Sequence, residues 1–560
     1  MRKTLLVSFF SLLTAALAQN SAKPAHAPAL APRPSSAAFA AMETINPERI
    51  RAHVRFLSHD LLEGRGTGQR GGDIAAEYIA AQFAVYGLKP GGDNGTYMQK
   101  VPMVGITPMP ETTFSIAPSG GAPMNLKVLD EYVAYDQTQQ PQSDIDAPIV
   151  YVGYGIYAPE YKWDDYKDAD VKGKVLLMLV NEPPSEDAKF FKGKALTYYG
   201  RWTYKYEEAA RRGALAVLLI HQTDMASYPW DVVRNSNSGE KSYLKLDGTP
   251  KLKAAAWIQF EVADRLAKSA GLNLGKMMSE AQSREFKPLG LPAKLQAHLV
   301  SKIRPFESNN VIGLLPGGDA KLKSEAVMFT AHYDHLGVRP DMPGDNIYNG
   351  ANDNATGCGV LLELARAFSQ STEKPRRSII FASVTAEEQG LLGSEYLGKH
   401  PPFPAGKITL DLNYDDLPPL GSPEEVEVSG AERTTFYKTV EATAKDFRLV
   451  IRPDAHPEAG HFYRSDHFSL ARVGIPAFSV NEGIKYKGHD EAWGLKQDEE
   501  YNQKHYHQPS DEYHPMMDFT GDATMARFGF LLGWQASSMP QLVGWEKGDE
   551  FEGARLKGSQ

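Results

Sequence analysis

The sequence predicts an α/β protein with a mostly parallel central sheet covered by helices on both faces. Three apolar runs, at residues 326–331, 378–384 and 408–413, have the length of buried strands. Helical patterns at 357–368 and 391–399 separate these runs. Strands that alternate with helices form parallel sheets, and such sheets bind ligands at the carboxyl ends of their strands, so we expect functional side chains just past each run.

The first residues have the pattern of a secretory signal peptide, residues 1–18. A basic start is followed by an apolar run and by A-L-A ending at Ala18, which predicts cleavage before Gln19 and a secreted protein of the bacterial periplasm. The apolar run is too short to cross a bilayer and no later run is long enough, so we expect no stable membrane anchor. The Ala- and Pro-rich composition predicts a disordered leader at 19–43.

Length and charge exclude several classes of protein. A chain of 560 residues is too long to fold around one ordinary hydrophobic core, so at least two domains are expected. A net charge of -9 gives no basic surface for nucleic acid or an anionic membrane. The sole cysteine, Cys358, excludes an internal disulfide, and its place at the start of an apolar helix predicts a buried residue. Oligomeric state is not predicted.

The order of patterns predicts one domain in two sequence parts with an insertion between them. A helix is expected to begin at Asn46 and Pro47, an N-cap followed by a first-turn proline. The middle of the chain carries short apolar runs and one helical stretch at 204–212, which predicts a small β-rich unit with few chemical residues. The predicted parts are the first at 44–135, the insert at 136–285, the second at 286–545 and a tail at 546–560.

Metal-ligand residue types stand just past the predicted strands. His332 and Asp334 are two residues apart, so on an extended backbone they point the same way and the carboxylate can orient the imidazole. Imidazole and carboxylate together suit a pair of borderline cations such as zinc, with one carboxylate bridging them. The candidate ligands are His332, Asp353, Glu388, Asp415 and His507.

This order of motifs resembles metallopeptidase family twenty-eight, the two-zinc exopeptidases that include bacterial leucine aminopeptidases and glutamate carboxypeptidase. The motifs are F-T-A-H-Y-D-H-L-G, N-G-A-N-D-N, T-A-E-E-Q-G, L-N-Y-D-D and Y-H-Q-P-S-D, and the match covers roughly residues 46–110 and 301–537. The resemblance implies the zinc exopeptidase fold. Within the insert, V-K-G-K-V-L-L-M and G-A-L-A-V-L-L-I-H resemble the protease-associated domain found in several exopeptidases.

The resemblance also implies a role for each ligand. Asp353 would bridge two zinc ions, with His332 and Asp415 on one, and Glu388 and His507 on the other. The bond between Asp353 and the next residue would be cis, as is common in the family.

Two further residues complete the implied catalytic set. Glu387 would be the general base and Asp334 would support His332. For the strand-end ligand, Asp415 is preferred over Asp416 and Asp411 because Asn413 precedes it by two positions in an N-x-D pattern.

Four residues are predicted to form the substrate pocket. Tyr506 is expected either to donate a hydrogen bond to the oxyanion or only to pack beside His507. The segment H-F-Y-R-S-D-H-F carries the other three, Arg464, Asp466 and His467. Arg464 is expected either to hold a substrate carboxylate or to form a salt bridge.

The sequence therefore predicts a secreted zinc-dependent exopeptidase acting on peptides, with aminopeptidase activity favoured. A carboxypeptidase or dipeptidase is the first alternative and would need a cationic pocket for the terminal carboxylate. Glutaminyl cyclase, with a single zinc and a smaller chain, and an inactive peptidase-like binding protein are the others. The insert is expected to cover the active site or to bind a partner, and the sequence favours neither.

Overall fold

The structure is a computed structural model that describes residues 30–340, 342–454 and 456–558. The predicted signal peptide at 1–18 lies outside these residues. Within them, fifteen strands form one large sheet. No helix in this part of the chain combines the length and the apolar character needed to cross a membrane.

The strands are numbered in chain order. They are β1 Lys89–Pro90, β2 Met98–Pro108, β3 Thr113–Pro118, β4 Met124–Asn125, β5 Tyr132–Tyr135, β6 Gln142–Tyr151, β7 Tyr157–Ala158, β8 Trp163–Asp164, β9 Val175–Leu179, β10 Ala216–His221, β11 Lys241–Leu244, β12 Ala254–Gln259, β13 Leu289–Leu315, β14 Ala326–His332, β15 Gly337–Val338, β16 Ile347–Tyr348, β17 Ser378–Val384, β18 Ile408–Asn413, β19 Glu425–Glu427, β20 Val450–Ile451, β21 Ala477–Ser479 and β22 Asn481–Glu482.

The α-helices are numbered in the same way. They are α1 Ser36–Met42, α2 Pro47–Leu57, α3 Arg70–Val85, α4 Trp202–Arg211, α5 Thr223–Ala226, α6 Trp230–Ser236, α7 Phe260–Ser269, α8 Leu274–Ala281, α9 Gly357–Gln370, α10 Leu392–Lys399, α11 Tyr437–Phe447, α12 His467–Arg472, α13 Glu491–Lys504, α14 Thr520–Ser538 and α15 Glu552–Gly558. The helix expected at Asn46 is α2, and the Asn46 side chain caps it by accepting the N–H of Glu48.

Parallel strands form the part of the sheet that carries the candidate site. β14 lies between β17 and β18 and is parallel to both, and β21 extends the parallel set beside β18. All seven residues of β14 are buried, as expected for a strand covered on both faces. The α/β fold class is confirmed. The sheet as a whole is mixed, because β13 runs antiparallel to β17, β2 and β6.

Helices cover both faces of this part of the sheet. On one face α9 and α14 pack on alternate strand residues such as Phe329 and Phe381. On the other face α10 and α12 pack on the intervening residues, including Met328 and Ile380. Because successive strand residues point to opposite faces, one apolar run supplies both cores.

β13 joins this region to a second one built mainly from the insert. Its residues 293–300 pair with β3 and β6, and its residues 301–311 pair with β2. In the second region β6, β9, β10 and β12 are parallel neighbours. The sequence predicted a small β-rich unit with one helix. This prediction was incomplete, because α7 and α8 also pack on the strands of the second region. Their apolar residues recur at helical spacing, as in Val262, Ala263 and Leu266.

The disordered leader was predicted to extend to residue 43, but its last part is helical. Residues 36–42 form α1, whose first turn is capped by the Ser35 side chain through the N–H of Ala38. Ala38, Ala41 and Met42 are buried in the same core as α9 and α14. An alanine-rich segment has high helix propensity, and here its apolar face finds a core to pack against, so composition alone gave the wrong prediction.

Candidate metal centre

The predicted ligands converge at the carboxyl ends of the parallel strands. His332 is the last residue of β14, Asp415 follows β18 by two residues, and Glu388 follows β17 by four. Asp353 lies in a π-helical turn, residues 351–356, directly before α9. His507 comes from the segment after α13. The structure therefore brings all five together from five separate segments.

The first donor group consists of His332, Asp353 and Asp415. The Nε2 atom of His332 lies 3.0 Å from Oδ1 of Asp415 and 3.3 Å from Oδ1 of Asp353. One donor atom from each residue lies within 4.8 Å of the others. This spacing lets one divalent cation contact all three.

The second donor group shares Asp353. Nε2 of His507 lies 3.2 Å from Oδ2 of Asp353 and 3.1 Å from Oε2 of Glu388. Asp353 thus offers one oxygen to each group. That is the arrangement expected of a carboxylate that bridges two cations.

His335 is a site residue that the sequence reasoning missed. Its Nδ1 atom lies 2.6 Å from Oε1 of Glu388 and 3.8 Å from Oδ2 of Asp353, and its side chain is fully buried. His335, Asp353 and Glu388 form a second compact set of donor atoms. The sequence did contain a signal for this residue. His335 is the second histidine of H-Y-D-H, which lies inside the first motif.

Asp334 lies behind the donors and positions them. Nδ1 of His332 is 3.1 Å from the main-chain oxygen of Asp334 and 3.7 Å from its carboxylate, so the carbonyl is the nearer orienting group. The carboxylate accepts hydrogen bonds from the Thr67 hydroxyl and from the main-chain N–H of Glu387. Asp334 therefore fixes the loop of the expected base.

Arg65 is a second residue that the sequence reasoning missed. It is fully buried, and its guanidinium donates to main-chain oxygens of segments that flank the site. The four acceptors are Leu57, Tyr333, Asn349 and Gly350. A planar fork of donors can satisfy several carbonyls at once, and here it joins the β14 loop to the loop of Asp353.

Asp511 holds the bridging residue from the other side. Its carboxylate accepts the main-chain N–H groups of Asn352 and Asp353 at 2.9 and 3.1 Å. The peptide bond between Asp353 and Asn354 is cis, as the resemblance implied. The turn that presents Asp353 is thus fixed through its main chain.

The charges of the donors reinforce one another. Burial lowers the pKa of His332, but the Asp415 carboxylate and its other acidic neighbours raise that pKa well above the usual value. Burial opposes the ionisation of Glu388, but the neighbouring histidines hold its pKa at about 2. A buried cluster of carboxylates with this much negative charge is suited to bind divalent cations.

Glu387 differs from its neighbour Glu388. Burial, followed by repulsion from Asp415 and Glu388, raises the pKa of Glu387 well above the usual value, although His332 opposes the shift. Its carboxylate has no hydrogen bond or ion pair to any described residue. A carboxylate beside the donors but not paired with them can accept a proton.

The geometry distinguishes among the three aspartates considered for the strand end. Asp415 is the one whose carboxylate meets His332. Asp416 turns away with a left-handed φ of 55°, and its carboxylate lies 3.3 Å from the Tyr501 hydroxyl. Asp411 is buried inside β18, where the Thr330 hydroxyl hydrogen-bonds to it.

The predicted pocket residues divide into two accessible and two buried ones. Tyr506 is 42% exposed and its ring stacks on His507, with centroids 3.9 Å apart. Arg464 lines an open cleft. Asp466 and His467 are buried, and the His467 ring packs edge-to-face on Phe462. The predicted part of Asp466 and His467 in the substrate pocket stays a prediction.

The chain is similar to known zinc peptidases. Residues 310–528 match the model of peptidase family M28. A leupeptin-inactivating enzyme of Streptomyces exfoliatus is 30% identical over 178 residues, which are 32% of this chain and 36% of that enzyme. A probable zinc metalloprotease of Pyricularia oryzae is 34% identical over 100 residues, 17% of this chain and 18% of the relative. The matched segments thus span about a third or less of these curated relatives.

Two aminopeptidases are among the solved structures that align with most of this chain. An aminopeptidase from Aneurinibacillus has a TM-score of 0.49 at 20% identity, covering 91% of this chain and 98% of that one. A zinc aminopeptidase from Bacillus subtilis has a TM-score of 0.43 at 18% identity, covering 91% and 97%.

Proposed function

Residues 310–528 match the model of peptidase family M28, and from this match we propose that the chain is a zinc-dependent exopeptidase that removes amino-terminal residues from peptides. The observation that carries the proposal is the position of Asp353. It lies between two donor groups, and the unpaired Glu387 stands beside them. A sequence relative named as an aminopeptidase, from Mus musculus and 33% identical over 135 residues, supports the choice of peptide end.

The donors fit two zinc ions. His332, Asp353 and Asp415 would hold one ion, and Asp353, Glu388 and His507 would hold the other, with His335 supporting Glu388. Imidazole and carboxylate are good zinc ligands. Bound zinc lowers the pKa of water and polarises a carbonyl group.

The proton transfers fall to Glu387. Its carboxylate accepts the proton of the attacking water and then donates it to the nitrogen of the leaving amine. The main-chain N–H of Glu387 donates a hydrogen bond to the Asp334 carboxylate and so fixes the backbone at this position. The side chain is not held by this bond. Tyr506 stands on the exposed side, where its hydroxyl can donate to the developing oxyanion.

The test combines activity with metal content. The purified chain is expected to hydrolyse leucine p-nitroanilide, to lose this activity to a zinc chelator and to regain it with zinc. Metal analysis is expected to find about two zinc ions per chain. Undiminished hydrolysis by a fully metal-free chain would overturn the proposal.

A carboxypeptidase or dipeptidase is the second candidate, and the position of Arg464 in an open cleft favours it. An amino-blocked dipeptide separates the two. A carboxypeptidase cleaves it, whereas an aminopeptidase does not, because the blocked amine cannot bind.

Export to the bacterial periplasm is proposed from the first eighteen residues alone. Amino-terminal sequencing of the chain recovered from a periplasmic fraction is expected to begin at Gln19. Recovery of the uncleaved chain from the cytosol would contradict export.

A further inference from the structure

The helix α13 leads into the segment of His507 and lies mostly on the surface. Of its 14 residues, all of which the structure describes, Gly494 is buried and the others are at least partly exposed. Gly494 fixes the first half of the helix, where a Cβ atom would lie 1.6 Å from the Ile484 carbonyl oxygen. The second half needs a contact of its own if it is to keep the segment of His507 in place.

Tyr501, in the last turn of α13, supplies such a contact. Its hydroxyl oxygen lies 3.3 Å from Oδ1 of Asp416 and 3.4 Å from Oδ2 of Asp511, so it can donate to either carboxylate. Neither carboxylate forms an ion pair with a residue that the structure describes. The phenol proton is therefore a hydrogen-bond donor shared between two acidic groups.

Asp511 connects this hydroxyl to the bridging donor. The Oδ2 atom that faces Tyr501 also accepts the main-chain N–H of Asp353 at 3.1 Å, and Oδ1 accepts that of Asn352 at 2.9 Å. One carboxylate oxygen thus separates the Tyr501 hydroxyl from the main chain of the residue shared by the two donor groups. A shift of this carboxylate therefore acts directly on the turn that presents Asp353.

Asp416 is the second acceptor of the hydroxyl. It directly follows the donor Asp415, and its Oδ1 atom also accepts the Asn352 side-chain amide at 3.4 Å. Two carboxylates repel each other when no donor lies between them. The Tyr501 hydroxyl therefore offsets the repulsion between Asp416 and Asp511.

The main chain of Tyr501 contacts the segment of the other donor group. Its carbonyl oxygen accepts the N–H groups of His505 and Tyr506 at 2.8 and 2.9 Å. The ring of Tyr506 stacks on that of His507. One residue of α13 is thus linked to Asp353 through its side chain and to the His507 segment through its main chain.

We propose that Tyr501 is a positioning residue of the metal centre. Its hydroxyl keeps the Asp511 carboxylate on the main chain of Asp353 and separates it from Asp416, so that the bridging carboxylate is oriented before cations bind. Loss of a residue that orients metal ligands weakens metal binding. The inference deepens the proposed function and rests on it for the kinetic measurement alone.

Zinc affinity tests the inference without turnover. Tyr501→Phe removes the hydroxyl and keeps the ring, so we expect zinc to bind roughly 10- to 100-fold more weakly, measured by competition with a chromogenic chelator. The metal-free variant is expected to melt within about 2 °C of the metal-free wild type, because the ring packing is retained. The matched control is Tyr157→Phe, a tyrosine of the insert that is 44% exposed, and it should bind zinc as the wild type does.

A double-variant cycle tests whether Tyr501 acts through the two carboxylates. In the Asp416→Asn background one of the two charges is gone, so we expect Tyr501→Phe to cost at least about 3-fold less zinc affinity than in the wild type. Equal losses in both backgrounds, or unchanged affinity in Tyr501→Phe, overturn the inference. A metal-free Tyr501→Phe chain that melts far below the wild type assigns a structural role and overturns it as well.

Kinetics at saturating zinc distinguish positioning from substrate contact. We expect Tyr501→Phe to lower kcat for leucine p-nitroanilide roughly 10-fold and to change KM less than about 2-fold, because Tyr501 acts on the donors and not on the substrate. A raised KM with unchanged kcat would overturn the inference. A wild-type chain that hydrolyses no peptide contradicts the proposed function alone, since the zinc affinities still decide the role of Tyr501.

Discussion

At the scale of single residues, adjacent glutamates have separate tasks. Glu388 is paired with two histidines, whereas Glu387 has no partner among the described residues. Glu387→Gln keeps the shape of the side chain but cannot accept the proton, so we expect kcat to fall roughly 10²- to 10⁴-fold. Zinc content should stay at the wild-type level. A variant that keeps its activity would show that another group is the base.

The aspartates after β18 provide a matched pair of variants. The Asp415 carboxylate contacts the His332 ring, whereas the Asp416 carboxylate accepts a hydrogen bond from the Tyr501 hydroxyl. We expect Asp415→Asn to lose about one zinc equivalent in metal analysis and Asp416→Asn to keep both, because a neutral amide is a poorer zinc ligand than a carboxylate. Loss of zinc from Asp416→Asn alone would exchange the two roles.

His335 supports Glu388 from the buried side. Its loss removes the 2.6 Å contact to Oε1 and leaves that carboxylate free to rotate. We expect His335→Ala to weaken zinc binding roughly 10- to 100-fold, as removal of orienting partners does in other zinc sites, measured by competition with a chromogenic chelator. His456→Ala, an exposed histidine, is the control and should leave affinity unchanged. Unchanged affinity in His335→Ala would make this residue a packing element only.

At the scale of elements, one buried side chain holds together the loops that follow β14 and precede α9. Arg65→Met leaves several buried carbonyls without donors, so we expect the free energy of unfolding to fall by more than about 3 kcal/mol in denaturant titration. Arg65→Lys should not restore it, because an ammonium cannot reach carbonyls on both sides. The control Arg70→Met removes only an exposed ion pair with Glu63 and should change stability by less than about 1 kcal/mol. Similar losses in both variants would contradict this role.

Sequence patterns predicted the elements that are periodic and the donors that follow them. β14, β17 and β18 were recognisable because buried parallel strands are continuous apolar runs, and His332 and Asp415 follow two of them. Arg65 was not recognisable as a site residue. It acts on main-chain carbonyls up to 285 positions away, and a carbonyl has no side-chain signature.

At the scale of the whole molecule, the donors connect segments that are distant in sequence. They span residues 332 to 507, so cations bind the folded chain and not the unfolded one. Ligands that bind only the native state raise its stability. We therefore expect removal of zinc to lower the melting temperature by several degrees, measured by calorimetry, and zinc to restore it. An unchanged melting temperature would mean that the centre forms without contributing to stability.

The 27-residue strand β13 has a consequence for any shortened form of the protein. At about 3.3 Å per residue it has a contour length of roughly 90 Å, and different partners occupy its two halves. Excision of residues 136–285 would strip β6 from residues 294–300 and expose main-chain donors and acceptors along that edge. Bare edges recruit other chains, so such a truncated protein is expected to aggregate before its selectivity can be assayed.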